Sequence, residues 1–466
     1  MVQDVTFEAG EGIALSGEYK ILPVPLPRVV GSEDPALYEG EKKVYEANYN
    51  GVYGKDAFFP EGAGEFVLQG GYRKYNLVDV RIYPFAYHPG SGRLVFHSSV
   101  TVHVSYTLPD EVPSDVVVED NLPRTEAIAR EIVFNYDQAQ SWYGQGKGGR
   151  GLYDFVIITL SSLTSAVQPL VDWEIAKGRT VQVVTTDWIN TNYTGYDLAE
   201  KMRNFLRDKY PSDEWGIEDV LLVGHYDDVP MRRCWQDPGY GKPETDYYYA
   251  ELSLPDSQSW DKDGDHRWGE NSDPIDFIAE VNVGRIPNSN IDKVQHICDK
   301  SAAFEQINDP SFKKNILLLG SFFWSDTDNA KLMEYKTNTN LHPWMLDWTR
   351  TTMYEQNNTV YSSYPCDYEL RNLNVMSVWP NGTYCFVNWA GHGSPTSCHQ
   401  MGYGSAHFIS TSDCSSLNDN YPAIIFADAC SNSDTDHNNI GKRMLERGAV
   451  GFLGATKVAL GCPGWR

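Results

Sequence analysis

Cysteine is missing from the first half of this 466-residue chain, and the eight cysteines that follow form no C-x-x-C pair. They stand at positions 234, 298, 366, 385, 398, 414, 430 and 462. A disulfide framework spanning the chain is therefore excluded, and a zinc site built on paired cysteines is disfavoured. Cys398 with Cys414, or Cys366 with Cys385, could form a bridge, and the sequence does not decide whether either pair does.

Long apolar runs and a targeting signal are also lacking. No run of about 18 or more apolar residues occurs, so no transmembrane segment is predicted. The amino terminus, "MVQDVTFEAGEGIALSG", has no basic stretch followed by an apolar one, as a signal peptide would have. Either a signal peptide has been removed or the protein stays inside the cell. The acidic, tyrosine-rich composition favours the first alternative, which predicts an extracellular or cell-surface location.

Basic residues are few. The 38 lysines and arginines face 63 aspartates and glutamates, which gives a formal charge of −25. Such a chain repels phosphate groups, which argues against nucleic acid or an anionic membrane as the main partner. A hydrophobic content of 41% is ample for sizeable cores, and the length suggests two or three domains.

The chain divides into two unlike parts. Residues 78–82 and 100–106 alternate apolar with polar side chains, as half-buried strands do, and residues 88–93 supply a turn between them. This pattern predicts an antiparallel β-sandwich in the first 120 or so residues.

From residue 152 onward, short β-rich runs alternate with helical segments. The β-rich runs are 153–159, 180–186, 218–224, 315–321, 383–391, 423–429 and 448–456, and the clearest helical segments are 196–210 and 291–307. Strands that alternate with helices predict an α/β fold with a mainly parallel sheet flanked by helices.

A histidine and a cysteine each follow one of these apolar runs. In "CFVNWAGHGSPTSC" the run ends at His392, which stands between two glycines, and "AIIFADACSNSD" places Cys430 just past the next run. Ligands and chemistry collect at the carboxyl ends of parallel strands. If the two strands are neighbours, the two side chains emerge at the same edge of the sheet.

This pair of residues suits acyl transfer. A neutral imidazole can take the proton of a thiol whose free pKa is about 8.5, and the resulting thiolate is a strong nucleophile. The backbone N–H groups of Gly393 and Cys430 could hold the oxyanion. Each motif alone is weak, because Gly-His-Gly is more often a turn and a cysteine at a strand end is more often a small buried residue. Their joint occurrence after two successive strands reverses that balance.

These motifs and several further blocks resemble the gingipain family of cysteine peptidases, relatives of caspases, legumain and separase. "NWAGHGS" and "IIFADACSN" resemble the family's His and Cys motifs. Other blocks follow in the family's order: "DVLLVGHYDDVPMR", "TDYYYAEL", "WDKDGDHRWGE" and "VNVGRIPNSN". "RIYPFAYHPGSGRLVFHSSVTVHVSY" is similar to the family's amino-terminal prodomain.

The resemblance implies a caspase-like α/β fold and three segments. Residues 1–150 would be the prodomain and linker, residues 151–310 a non-catalytic subdomain A, and residues 311–466 a subdomain B that carries the dyad. His392 would then be the general base or imidazolium partner and Cys430 the nucleophile, with peptide bonds as the substrate.

The sequence departs from the family at the residue that orients the histidine. The family has a carboxylate after an earlier strand, whereas "LLLGSFFWSD" has no acid directly at its strand end. Asp326, Asp328 or Glu334 could take that role or could be the acid of the S1 pocket. Alternatively there is no third member, since a Cys-His dyad works without one in many relatives.

An acidic loop predicts a structural calcium site. "DKDGDHRWGE" places Asp261, Asp263, Asp265 and Glu270 close together, and a turn-forming glycine lets their oxygens converge on one hard cation. The pattern is not that of an EF-hand, and a solvated acidic loop is the alternative. The family resemblance favours calcium.

Two arginines stand at plausible processing points. Arg150 lies in the glycine-rich linker "GQGKGGRG", and the sequence ends at Arg466. Both fit a zymogen that matures itself and prefers Arg, or Lys, at P1. A plain interdomain linker and a truncated chain are the alternatives. A second polypeptide released by cleavage after Arg466 could complete the fold.

Three other functions compete with a simple active peptidase. The chain could be a catalytically silent, calcium-binding surface or adhesion protein on the same scaffold. It could be a transpeptidase or ligase. It could also be held inactive by its own prodomain until it is cut.

Overall fold

The computed structural model describes residues 2–29, 39–107, 122–143, 152–235, 242–252, 259–356, 360–401 and 406–461. The linker with Arg150 and the end of the chain at Arg466 lie outside the described residues, so processing at these arginines stays a prediction.

Antiparallel strands dominate the amino-terminal part. The strands are β1 Val2–Ala9, β2 Gly12–Ala14, β3 Arg28–Val29, β4 Gly64–Tyr72, β5 Tyr75–Ile82, β6 Phe85–His88, β7 Arg93–His97 and β8 Val100–Tyr106. β1 pairs with β8, β4 pairs with β5, and β7 lies between β2 and β6, all antiparallel. The antiparallel prediction is confirmed, with the strands distributed over small sheets.

Within its described residues, the amino-terminal part also contains three α-helices. They are α1 Glu39–Tyr53, α2 Pro123–Ile132 and α3 Tyr136–Ala139. The first of them, α1, lies within the region predicted to be a β-sandwich. In α1, Tyr49 stacks on Tyr53 with ring centroids 4.7 Å apart, and Tyr53 meets the edge of Tyr87 from β6. These aromatic contacts hold the helix against the sheet.

The first parallel sheet has four strands. They are β9 Phe155–Thr159, β10 Val181–Thr185, β11 Asp219–Val223 and β14 Asn282–Ile286, in the order β10-β9-β11-β14. Around them lie α4 Gln168–Ala176, α5 Thr186–Asn192, α6 Leu198–Lys209, β12 Arg232–Arg233, β13 Glu244–Thr245, α7 Tyr247–Ala250 and α8 Ile291–Gln306. Every residue of β9 is buried, because both faces of a parallel sheet are covered.

The second parallel sheet has six strands. They are β15 Asn315–Gly320, β18 Thr349–Tyr354, β19 Tyr368–Glu369, β20 Phe386–Ala390, β24 Ala423–Asp428 and β25 Ala449–Gly454, in the order β19-β18-β15-β20-β24-β25. The remaining elements are α9 Pro310–Lys313, β16 Phe322–Trp324, β17 Thr327–Asp328, α10 Ala330–Lys336, α11 Asn372–Val378, β21 His392–Ser394, β22 Ser397–His399, β23 His407–Ser410, α12 Ile440–Glu446 and β26 Leu460–Gly461. Trp389 and Ile425 fill the core on one face, and Leu318 and Tyr354 belong to the core on the other.

The strands that precede the histidine and the cysteine are neighbours. β20 and β24 pair in parallel over their whole length, with Ala390 opposite Asp428. Since all seven predicted β-rich runs form strands of the two sheets, the α/β prediction is confirmed.

A buried ion pair joins helix α8, beside the first sheet, to the segment that precedes β24 of the second sheet. Lys300 of α8 donates to the Asp419 carboxylate at 3.2 Å and to the carbonyl of Leu445 at 2.7 Å. The Lys300 side chain is 2% exposed. Residue 310 lies between the two sheets along the chain, and the division there stays a prediction.

Two further expectations concern disulfide bonds and membrane-spanning helices. The seven described cysteines are all free, so neither Cys398 with Cys414 nor Cys366 with Cys385 forms a disulfide. None of the helices in the described part of the chain has the length and apolar character needed to span a bilayer.

Replacing Asp419 with alanine should lower the free energy of unfolding by about 3 kcal/mol, because the Lys300 ammonium would stay buried without its counter-charge. Urea denaturation measures the change. The control is Glu46→Ala, which breaks the exposed Lys42–Glu46 pair of α1 and should leave the stability unchanged. An equal stability for both variants would contradict the structural role of the buried pair.

Candidate active site

His392 opens a short strand, β21, two residues beyond the end of β20. Its ring meets the ring of Phe323 edge-on, with centroids 6.2 Å apart. Burial lowers the pKa of His392 below its ordinary value. The Glu355 carboxylate and main-chain hydrogen bonds with Phe323 and Phe322 oppose that effect, while His399 adds to it. The imidazole is therefore neutral at neutral pH.

Glu355 is a site residue that the sequence reasoning missed. It follows β18 directly and is fully buried. Its carboxylate accepts hydrogen bonds from the hydroxyl of Ser321 at 2.7 Å and from the N–H groups of Phe322 at 3.1 Å and Met401 at 3.2 Å. An acid placed directly after a strand is the signal that could have revealed it, and His392 and Cys430 follow the same rule.

Cys430 lies two residues beyond the end of β24 and is 5% exposed. Its sulfur accepts a hydrogen bond from the N–H of Ala459 at 3.3 Å, and its neighbours in the core include Leu318 and Phe323. Burial raises the pKa of the Cys430 thiol, and the Asp428 carboxylate adds to the rise, whereas the Ala459 N–H opposes it. In this form of the protein the thiol is protonated.

The main chains of the two loops touch at Gly393. A Cβ atom at this position would lie 2.1 Å from the carbonyl oxygen of Cys430 and 2.6 Å from its nitrogen. Only glycine permits that approach. The structure thus brings together the loops of the histidine and the cysteine, together with the backbone groups that were predicted to hold an oxyanion.

Asp326 and Asp328 lie on the β16–β17 hairpin, which also carries Phe323 beside His392. Asp326 accepts a hydrogen bond from the hydroxyl of Thr327 at 3.0 Å, and Asp328 accepts one from the N–H of Ala330 at 2.9 Å. This hairpin therefore passes along the candidate site with one exposed and one half-buried carboxylate.

Glu334 is held apart in an interaction of its own. Its two carboxylate oxygens accept hydrogen bonds from Arg350 at 2.8 Å and from the hydroxyl of Tyr354 at 2.7 Å. Of the carboxylates near this edge of the sheet, Glu355 is the one whose charge acts on the pKa of His392.

Three of the four predicted metal ligands converge. Carboxylate oxygens of Asp261, Asp263 and Asp265 lie within 4.8 Å of one another. Glu270 is outside this group and lies 3.8 Å from Arg267. Gly264 has a φ of +72°, which turns the loop so that the carboxylates face each other. Three carboxylates are the donor set that a hard cation such as calcium prefers.

The amino-terminal part of the chain touches the segment that covers the cysteine. β26, which begins one residue after Ala459, pairs antiparallel with β3, with Leu460 opposite Val29. Ala459 is therefore fixed between the sulfur of Cys430 on one side and a strand pair with the amino-terminal part on the other.

The chain thus has an antiparallel amino-terminal part, followed by a histidine and a cysteine at the ends of adjacent parallel strands. Comparison with known protein families identifies the class of protein that has this combination. The model of peptidase family C25 matches residues 151–463, and the model of the C25 propeptide matches residues 15–141. The chain belongs to peptidase family C25.

Curated relatives and solved structures are similar at low identity. Gingipain R2 of Porphyromonas gingivalis is 22% identical over 398 residues, which are 83% of this chain and 46% of the relative. Gingipain R1 of the same organism is 21% identical over 397 residues, 83% of this chain and 34% of the relative. The chain thus spans about half the length of gingipain R2, or less in the case of gingipain R1.

Among solved structures, the Arg-specific cysteine proteinase gingipain R (RGPB) has a TM-score of 0.47 at 18% identity, over 68% of this chain and 65% of that one. The complex of Porphyromonas gingivalis RgpB pro- and mature domains has a TM-score of 0.46 at 18% identity, over 65% of this chain and 64% of that one.

Replacing Glu355 with glutamine should move the pKa of His392 further below its ordinary value, because the negative charge that now raises this pKa is removed while burial persists. The titration of His392 followed by NMR measures the shift. Glu334→Gln is the matched control, and its His392 should titrate as in the parent chain. Equal titration curves for the Glu355 variant and its parent would contradict the electrostatic coupling.

Proposed function

We propose that this chain is a cysteine endopeptidase that hydrolyses peptide bonds with His392 and Cys430, and that it is made as a zymogen. The observation that supports this most is the parallel pairing of β20 with β24, which brings the two loops into contact at Gly393. Membership of peptidase family C25 supports the same reaction class.

In the proposed reaction, His392 accepts the proton of Cys430, and the thiolate attacks the carbonyl carbon of the scissile bond. The N–H groups of Gly393 and Cys430 hold the oxyanion of the tetrahedral intermediate. The imidazolium then gives its proton to the leaving amine, which leaves a thioester on Cys430. Water, deprotonated by His392, hydrolyses the thioester. Glu355 acts as a positioning residue, because its negative charge stabilises the imidazolium between these steps.

The described form fits the latent state of such an enzyme. The thiol is protonated and 5% exposed, and the N–H of Ala459 is bonded to its sulfur. A substrate carbonyl could reach Cys430 only after Ala459 moves. The pairing of β26 with β3 ties Ala459 to the amino-terminal part, so we propose that this part is the chain's own inhibitor.

Preference for Arg, or Lys, at P1 is the finer part of the proposal. A basic P1 side chain needs a carboxylate at the end of its pocket. Asp326 and Asp328 are the candidates, since Glu334 is already held by Arg350 and Tyr354. The similar gingipain R is described as Arg-specific. Cleavage of the chain's own linker at Arg150 would need the same preference.

Location and a covering segment are also proposed. A secreted or cell-surface enzyme fits the acidic composition. Phe426 of β24 and Leu453 of β25 are 46% and 55% exposed, which supports the proposal that a further polypeptide segment covers this face of the sheet.

Calcium is proposed as a structural ion held by Asp261, Asp263 and Asp265. The ion would neutralise three carboxylates that otherwise repel one another, and it would brace the loop between α7 and β14.

Cys430 should react with an arginine-directed acyloxymethyl ketone only after the chain is cut between its amino-terminal part and residue 152 and the amino-terminal fragment has left, because Ala459 is then no longer tied to β3 and can leave the sulfur. Intact mass and peptide mapping before and after cleavage measure the labelling, and Cys430→Ala is the control. The lysine-directed probe, used in parallel, decides the P1 preference.

Two outcomes would contradict the proposal. A Cys430 that resists both probes and a general thiol reagent after cleavage would favour the silent binding protein. Products in which an added amine replaces water would favour a transpeptidase or ligase.

Calcium at millimolar concentration should raise the melting temperature of the chain, because the ion binds the folded state only. Asp263→Asn should abolish the increase, whereas Glu270→Gln should keep it, since Glu270 lies outside the converging group. Magnesium at the same concentration should have a smaller effect. If calcium still raised the melting temperature of the Asp263→Asn variant, the ion would bind at another site or without specificity, which would contradict the proposal.

A further inference from the structure

The tip of the β4–β5 hairpin is buried against the first parallel sheet. The hairpin connects its strands with two residues, Arg73 and Lys74, since Tyr72 pairs with Tyr75. Such a tip is normally the most solvated part of a hairpin, yet Arg73 is 7% exposed and Lys74 is 5% exposed. Two cations are thus buried where a hairpin usually meets water.

The guanidinium of Arg73 fits a cradle of three carbonyl groups. It donates hydrogen bonds to the carbonyl oxygens of Tyr210 at 2.8 Å, Ile217 at 3.1 Å and Glu280 at 2.8 Å. It also lies over the ring of Tyr210, with 5.1 Å to the centroid. The three carbonyls come from separate places: the end of α6, the approach to β11 and the approach to β14. Only the branched, planar head of an arginine can reach all three at once.

The backbone of Arg73 indicates that the side chain is the reason for its position. Its φ is +51°, in the left-handed region where turns of this kind normally have glycine or asparagine. A larger residue there costs backbone free energy and persists only where its surroundings fix it. The three hydrogen bonds of the guanidinium are the surroundings that do so here.

The dipole of α6 also favours a cation at this site. Tyr210 caps α6, so its carbonyl is at the negative end of the helix dipole. The buried Glu280 carboxyl lies close enough for Arg73 to act on it. Burial, aided by Glu251, holds the pKa of Glu280 well above its usual range, and the charge of Arg73 opposes that rise.

Neighbouring contacts extend the interface on both sides of the tip. The N–H of Gly71 donates to the Asp276 carboxylate at 2.8 Å, and Arg124 of α2 lies 3.3 Å from Asp219 of β11. Tyr72 and Tyr75 are buried in a cluster that includes Ile278. All of these contacts are with the first sheet and its connections, whereas the candidate active site belongs to the second sheet.

We propose that residues Tyr210, Ile217 and Glu280 form a guanidinium-binding site on the first parallel sheet, and that its ligand is Arg73 of the amino-terminal part. This site, and not the contact near Cys430, holds the amino-terminal part in place after the connecting segment has been cut. Retention and inhibition are therefore carried by different surfaces. The inference concerns binding and does not require the chain to be a peptidase.

The test uses the full chain with Cys430→Ala, so that it cannot process itself, and with a site-specific protease sequence placed in residues 144–151. After cleavage of the immobilised chain, the loss of the amino-terminal fragment is followed over time. Arg73→Gly is the informative variant, because glycine accepts the positive φ and removes only the guanidinium and its stem. The fragment should leave roughly 30-fold faster or more, as expected for a buried arginine anchor.

Arg81→Ala is the matched control. Arg81 is in the same hairpin, pairs with Glu65 and is 61% exposed, so its loss should not change the rate. Methylguanidinium added to the Arg73→Gly chain should slow the loss of the fragment, whereas methylammonium at equal concentration should not.

Unchanged retention in the Arg73→Gly chain would overturn the proposal, as would equal rescue by both cations. If the glycine variant gives no folded chain, Arg73→Lys decides by the same measurement. Lysine keeps the charge but cannot bond three carbonyls, so its fragment should leave faster than that of the parent. A fragment that leaves no faster would overturn the proposal as well.

Discussion

The parallel pairing of β20 with β24 is the constraint on which the candidate site depends. Hydrogen bonds between these strands fix Ala390 opposite Asp428, so the chain leaves both strands at the same height. His392 and Cys430 each lie two residues beyond the end of their strand, so both are held close to the same edge of the sheet. The contact of Gly393 with the main chain of Cys430 closes the arrangement and leaves no room for a side chain. The positions of His392 and Cys430 are thus set by backbone hydrogen bonding, with few long side chains involved.

Burial favours the neutral form of both the His392 imidazole and the Cys430 thiol. An imidazole with a lowered pKa and a thiol with a raised pKa do not form an ion pair. The charge of Glu355 raises the pKa of His392, and the N–H of Ala459 lowers the pKa of Cys430, so each opposes the effect of burial. Access of water to the site would favour both charged forms. Exposure of Cys430 and ionisation of Cys430 and His392 are therefore linked by the same change in solvation.

Much of the fold could be predicted because parallel strands buried on both faces are continuous apolar runs. The run 315–320 and the run 423–428 are visible without any knowledge of their neighbours. β18, "TRTTMY", is mostly polar in sequence, so it was not identified as a strand, and Glu355 at its end was missed with it. The convergence of Asp261, Asp263 and Asp265 could be predicted because these residues are close in sequence. The cradle of Arg73 could not, since its three carbonyls belong to the backbone and carry no sequence signal.

The contacts of Arg73 have a consequence for the order in which the chain acquires its structure. They join residues 137, 144 and 207 positions apart, so the hairpin is made long before its partners. At the usual speed of translation, roughly 10 to 40 s separate the synthesis of Arg73 from that of Glu280. Contacts of such high sequence separation slow folding, because the intervening chain has to be closed into a loop. Because an isolated two-stranded hairpin is at best marginally stable in water, we expect the β4–β5 tip to become fixed only when the first sheet has formed around Arg73.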